Sequence, residues 1–304
     1  MASVAVWARA IRIPFFTATI IPVLLGSAIA WNLTHAFDWM LFFLLLIAAL
    51  CVHAALNLFN DYFDHLSGND AANEKPTPFS GGSRVIQQKK ISPLKVRNLA
   101  SFFLLAGIVL GLYLNYILPG NAFLIIGALG LFLALFNSAP PLKLGYRGFG
   151  EIAVGFGFGI LIVVSAFFTQ TGMITKESVI ASLPIAVLIL LVLLINEFPD
   201  YAADKKTKKK TWVVLLGKQK AFWLYTLLLV SAYGAAVYGV IVGALPVLAL
   251  GVFVTLPLAI KAFMVGKKHY KRIDELLPAN KFTIMLHFFF GLVMIVAYLI
   301  DGIL

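Results

Sequence analysis

The stretch WMLFFLLLIAALCVHAALNLFNDYFD, residues 39–64, decides how the rest of the chain is read. Its first part is an unbroken apolar run, and about 20 such residues at helical rise cross a bilayer core. Its end is abruptly polar, with Asn57, Asn60, Asp61 and Asp64 placed at helical spacing. A soluble core helix does not need so long an apolar run, and a β-barrel strand would alternate rather than run continuously.

The whole chain repeats this pattern. Of its 304 residues 61% are hydrophobic and 12% charged, with mean hydropathy +0.96. Soluble domains are nearer half apolar and a quarter charged, and disordered chains are poorer still in aromatic residues. The expected fold class is therefore all-α: a polytopic membrane protein, folded as one domain over 1–304. Nine stretches are long enough to span, near 13–33, 39–59, 96–118, 120–138, 151–171, 177–198, 219–243, 245–266 and 282–302. The first is read as a retained span, since no small-residue cleavage site ends it at signal-peptide length. Cys51 is the single cysteine, so no disulfide framework is implied.

Charge sets the orientation. If the N-terminus and the loops 60–97, 139–150, 199–220 and 267–281 share one side, that side holds all of the 24 Lys and Arg residues except Lys176 and Lys261. By the positive-inside rule it is cytoplasmic, giving N-terminus in and C-terminus out. The net charge of +11 is then explained by topology and lipid head groups, with no nucleic-acid partner. Carboxylates are missing from the span centres, against the pattern of ion-coupled transporters. Only His53 and His287 lie deep, and both read as packed helix residues.

The acids gather at span ends instead. Span two closes on Asn57-Leu-Phe-Asn60-Asp61-Tyr-Phe-Asp64 and span six on Asn196-Glu197-Phe-Pro-Asp200-Tyr-Ala-Ala-Asp204. Each carries two carboxylates and an amide on one helical stripe, and both fall on the same membrane face. Like charges about 5 Å apart cost roughly 3 kcal/mol per pair at an effective dielectric near 20. A cation between them is expected. Hard oxygen ligands suit Mg²⁺, which shares its shell with substrate phosphates, and the lack of Cys and His ligands argues against zinc. Candidate partners for a diphosphate on the same face are Lys143 and Arg147 in the tight Pro-Pro and glycine loop, Lys205 and Lys206 after Asp204, and Arg84 after Ser80-Gly-Gly-Ser83.

These motifs resemble the UbiA superfamily of intramembrane aromatic prenyltransferases over nearly the whole chain. Ser67-Gly-Asn-Asp70, Gly81-Gly-Ser-Arg-Val85, Tyr146-Arg-Gly-Phe-Gly-Glu151 and Leu277-Pro-Ala-Asn-Lys281 are similar to the menaquinone branch, the 1,4-dihydroxy-2-naphthoate polyprenyltransferases. The resemblance implies Mg²⁺-dependent transfer of a polyprenyl group from its diphosphate to an aromatic ring carbon, at the cytoplasmic side of the cell (inner) membrane. It places the metal at Asp61, Asp64, Asp200 and Asp204, with Asn57, Asn60 and Asn196 in the accompanying amide positions. Beside this, the residues themselves offer Lys143 and Arg147 as catalytic cations and Arg84, Lys205 and Asn137 as substrate contacts. Phe59, Tyr62 and Phe63 are expected to face the allylic cation, and Glu151 is the candidate base. Three positions depart from the family pattern: Gly68 where some branches carry an acid, with Asp70 close by; Asn137 where a Tyr is common; and Lys208 where a Gly is usual. Other acceptors, such as 4-hydroxybenzoate or a glycerol phosphate, stay open, as do a transporter and a non-catalytic lipid-diphosphate binder. Gly81 and Gly82 mark the 65–95 loop as a candidate cap.

Overall fold

The computed structural model describes residues 3–304. Among them the chain is all-helical, without a β-strand. Eight helices are long and apolar enough to cross a membrane. They are α1 (Ile13–Thr34), α2 (Trp39–Leu66), α3 (Pro93–Ile117), α5 (Gly150–Thr171), α6 (Lys176–Lys206), α7 (Trp212–Ile241), α8 (Val247–His269) and α9 (Ile273–Asp301). Between α3 and α5 lies α4 (Ala122–Ser138), an apolar helix of 17 residues and shorter than the others. A seven-residue helix, Val4–Ala10, precedes α1.

Helices suit this sequence because lipid offers backbone groups no hydrogen-bonding partner. Asp38 caps α2 by accepting from the Leu41 amide at 3.0 Å, and Thr175 caps α6. The spans run past the apolar boundaries read from sequence, mostly at the Lys/Arg-rich end: α2 continues to Leu66 and α6 to Lys206. Pro199 does not restart α6, so Asp200 and Asp204 keep their shared stripe.

The largest core joins α1, α5, α6, α7, α8 and α9 through side chains such as Leu25, Phe167, Leu188, Tyr225 and Phe290, all essentially buried. A second core packs α2 against α3 and the 85–91 loop. Helix α5 contains one wide turn, Gly155–Leu161, where it presses on α6. A Cβ at Gly159 would sit 2.2 Å from Ala186 Cα, so only glycine permits this approach, the small-residue packing typical of membrane helices.

Candidate active site

At the Lys/Arg-rich end the bundle encloses a cavity of about 630 Å³. Its walls come from the N-terminal turn, α2, the 69–83 segment, the ends of α4 and α6, the start of α5, Lys209 and α9. Asp64, Asp70, Asp200 and Asp204 line it together with Asn57, Asn60, Asn137 and Asn196, and Asp61 lies behind Ser83 and Arg12. The two acidic motifs thus meet in space.

The first motif is held by cations. Arg12 bridges Asn60 Oδ1 at 3.0 Å and Asp61 Oδ1, and Asp61 also accepts from the Ser83 amide at 3.2 Å and the Ser83 hydroxyl. Asp64 accepts from the Tyr146 hydroxyl at 2.6 Å, and Lys209 Nζ lies 3.2 Å from its other oxygen. Lys209 Nζ is also 4.0 Å from Asp204 Oδ1. Burial opposes the Lys209 charge, but Asp64 and Asp204 hold its pKa well above the usual lysine value. Burial and the Asp64 charge likewise push the Tyr146 phenol up, so it stays a donor.

The second motif is held by neutral donors from the segment that follows the first. Asn73 donates to Asp200 Oδ1 at 2.7 Å, the Gly81 amide to Asp200 Oδ2 at 3.1 Å, and Asn69 to Asp204 Oδ1 at 2.9 Å. Residues 69–83 therefore stitch the two motifs together. Gly81 and Gly82 turn this segment with φ of 76° and 73°, a conformation that glycine adopts at little cost.

Asp70 is a fifth carboxylate of the cluster. Burial and the charges of Asp64 and Asp61 push its carboxyl up to about 8. A Cβ at Gly82 would fall 3.0 Å from both Asp70 oxygens and 3.2 Å from Asp61 Oδ1. The two carboxylates therefore converge on one cradle, kept open because residue 82 has no side chain. Among the described residues no three acids, histidines or cysteines form a ready-made metal cluster. Mg²⁺ takes one or two carboxylates and completes its shell with water and phosphate. The all-oxygen donor set, with more carboxylates than cations, fits such an ion.

Several expected positions lie elsewhere. Lys143 stands over the Tyr146 ring at 5.2 Å, Arg147 is exposed and bonds the Pro141 carbonyl at 3.0 Å, and Lys205 lies over the Tyr201 ring at 5.8 Å. None of them lines the cavity, and neither does Arg84, which bonds the Asp70 backbone carbonyl. The reason is geometric. Lys205 follows Asp204 on a helix and so points about 100° away from it. Beyond the helix end the chain turns back, the Lys209 amide bonding the Asp204 carbonyl at 2.8 Å, and this delivers Lys209 instead. Phe59, Tyr62 and Phe63 pack in the second core, on the side of α2 away from its polar stripe. Phe158 and Tyr146 line the cavity in their place. Asn57 anchors the Ile11 carbonyl at 2.9 Å, and Asn196 accepts from Asn280 at 2.8 Å. Neither Arg12 nor Lys209 carries a periodic signal; only the fold brings them to the acids.

Towards the membrane interior the cavity adjoins an apolar chamber of about 340 Å³ between α2, α3, α4 and α5. His53, Leu56, Val154 and Phe158 line both spaces. His53 is buried, with Nδ1 2.7 Å from the Thr19 hydroxyl.

The fold and site define a class: a multi-pass helical membrane protein whose acid-rich head cavity adjoins an apolar chamber. The sequence profile of the UbiA prenyltransferase family matches residues 19–299, so the chain belongs to that family and is a prenyltransferase. It is 32% identical over 287 residues to the 1,4-dihydroxy-2-naphthoate octaprenyltransferase of Bacillus subtilis, covering 94% of this chain and 89% of that protein. It is 26% identical over 292 residues to the 2-carboxy-1,4-naphthoquinone phytyltransferase of Synechocystis, covering 96% and 92%. A UbiA homolog from Archaeoglobus fulgidus, solved bound to GPP and Mg²⁺, has the same fold: TM-score 0.65 at 16% identity, over 96% of this chain and 99% of that one.

Proposed function

We propose that this enzyme transfers a polyprenyl group from its diphosphate to 1,4-dihydroxy-2-naphthoate, with Mg²⁺, in menaquinone biosynthesis. The observation that carries this reading is the junction of the acid-lined cavity and the apolar chamber at His53, Leu56, Val154 and Phe158. The names of the Bacillus subtilis and Synechocystis relatives support the naphthoate acceptor.

In this reading Asp61, Asp64, Asp70, Asp200 and Asp204 would hold Mg²⁺. When bound, the ion supplies charge neutralisation for the departing diphosphate. Arg12 and Lys209 bind the same group from the protein side, as preorganised cations aimed where charge develops. Tyr146 orients Asp64. The polyprenyl tail rests in the apolar chamber, since each buried methylene is worth about 0.8 kcal/mol and the tail does not leave lipid readily. Phe158 at the junction faces the allylic cation and helps to exclude water, and cation–π attraction contributes about 0.5–2 kcal/mol. Phe158 also stacks edge-on against His53 at 4.6 Å, which fixes this wall.

The charge distribution supports nine crossings with the N-terminus inside and the C-terminus outside, α4 being the shortest. The site then lies at the cytoplasmic face of the cell membrane. The test is to incubate the purified enzyme in liposomes with labelled polyprenyl diphosphate and an acceptor panel. Prenylated naphthoate is expected. Product from 4-hydroxybenzoate or a glycerol phosphate, and none from naphthoate, would overturn the acceptor.

A further inference from the structure

One wall of the head cavity is rich in buried acceptors. Glu197 lines the cavity and is 7% exposed; behind it Glu151 is 1% exposed. Their carboxyls approach closely enough to hydrogen-bond to one another. Glu151 is fixed through its other oxygen, which accepts from the Trp212 amide at the start of α7. Oε2 of Glu151, Oε2 of Glu197 and Oδ1 of Asn137, also at the cavity wall, are buried and meet no N–H or O–H of another residue. Two facing carboxyls share a proton, because like charges at contact do not both ionise. The pair then keeps one negative charge beside further lone pairs.

A buried acceptor left unpaired is costly; one shared proton serves the two carboxyls, and the lone pairs left over, together with Asn137 Oδ1, suit a ligand that brings O–H donors. A diphosphate, itself only an acceptor, is repelled there. Glu197 precedes Asp200 and Asp204 by three and seven residues on α6, which puts it on their stripe, deeper in the cavity. A group bound at Glu197 is therefore next to the diphosphate site.

The geometry points to Glu197 as the catalytic residue that receives the hydroxyl of the aromatic acceptor and takes its proton, with Glu151 as the positioning residue behind it. This rests on the prenyl-transfer reading above. A ring carbon forms the new C–C bond to the allylic carbon as the prenyl C–O bond breaks, and that electron pair leaves with the diphosphate. The ring hydroxyl passes its proton to Glu197 as the ring oxygen becomes a carbonyl. If the attacked carbon carries a carboxylate, CO₂ departs and Glu197 returns the proton to the ring oxygen. If it carries hydrogen, that proton leaves to water and Glu197 again returns its own.

The test compares a hydroxylated acceptor with its O-methyl ether. In the wild type the hydroxylated compound should bind at least about tenfold more tightly, measured as competitive inhibition by non-prenylatable analogues. Glu197→Gln should lower kcat/KM for the acceptor at least about 100-fold and erase this preference, with KM for the prenyl diphosphate within about twofold. Glu151→Gln should reduce the same preference by a smaller factor. Equal binding of the two analogues by wild-type enzyme overturns the proposal, and this needs no variant to fold. So does a Glu197→Gln enzyme that keeps the preference, or one that loses prenyl diphosphate binding equally, since the wall would then belong to the metal cage. If 4-hydroxybenzoate proves to be the acceptor, the naphthoate assignment fails and the same ether comparison is run on that ring.

Discussion

The two aspartate motifs look alike in sequence but are held in different ways. Asp61 and Asp64 face Arg12 and Lys209, whereas Asp200 and Asp204 are oriented chiefly by Asn73, Asn69 and the Gly81 amide. A carboxylate paired with a cation is already neutralised; one held by an amide still needs a counter-ion to ionise where it is buried. The site is therefore asymmetric. Arg12 serves the α2 side alone and Lys209 lies between the two, nearer Asp64 than Asp204, so the α6 side, Asp200 above all, depends more on a mobile cation.

The largest expected effect tests whether both halves need that cation. EDTA should stop prenyl transfer and Mg²⁺ restore it, and Asp64→Asn or Asp200→Asn should each cost at least about 100-fold in turnover, read by product formation in liposomes. Normal turnover in either variant would break the comparison. Next, Arg12→Ala should separate the halves. It should lower activity about 10- to 100-fold and also destabilise the fold by about 2–4 kcal/mol, because Asp61 is left buried without a cation, held only by the neutral Ser83 donors. Thermal unfolding of the detergent-solubilised protein checks this, and Asp61→Asn combined with Arg12→Ala should recover part of the stability.

A smaller effect concerns pH. Burial and the charges of Asp64 and Asp61 push the Asp70 carboxyl up to about 8, so a proton competes with any bound cation below that pH. Apparent Mg²⁺ affinity should rise with pH up to about 8, by at most about tenfold per unit, and then level off. Calorimetry at several pH values measures it, and Asp70→Asn should flatten the dependence. Asn73→Ala removes one neutral donor from Asp200 and should cost about 1 kcal/mol, or roughly fivefold in activity. Smallest of all, Arg147→Ala should change turnover by less than about twofold, because an exposed side chain bonded to its own loop contributes little.

Much of this was legible in the chain alone. Continuous apolar runs specify membrane helices, and Asn57, Asp61 and Asp64, or Asn196, Asp200 and Asp204, share a stripe because helical periodicity is local. The placement of both motifs at the Lys/Arg-rich span ends needed only counting. Glu151 could be picked out by its motif, but its contact with Glu197 could not, since the two lie on different helices. The aromatic wall is not legible in the chain for a similar reason: Phe59 and Phe63 are next to the motif in sequence but on another face of α2.

By itself, then, the amino-acid order determined the helices, the polar ends and the family, since each follows from short-range spacing and transfer energy between water and lipid. Only the tertiary structure decided which charges meet. Arg12 and Lys209 reach the acids from non-helical turns with no repeating register, and the acceptor-rich wall of Glu151, Glu197 and Asn137 exists only where three helices converge. Contacts of that kind depend on through-space distances of a few ångströms, which the spacing of residues along one chain does not encode.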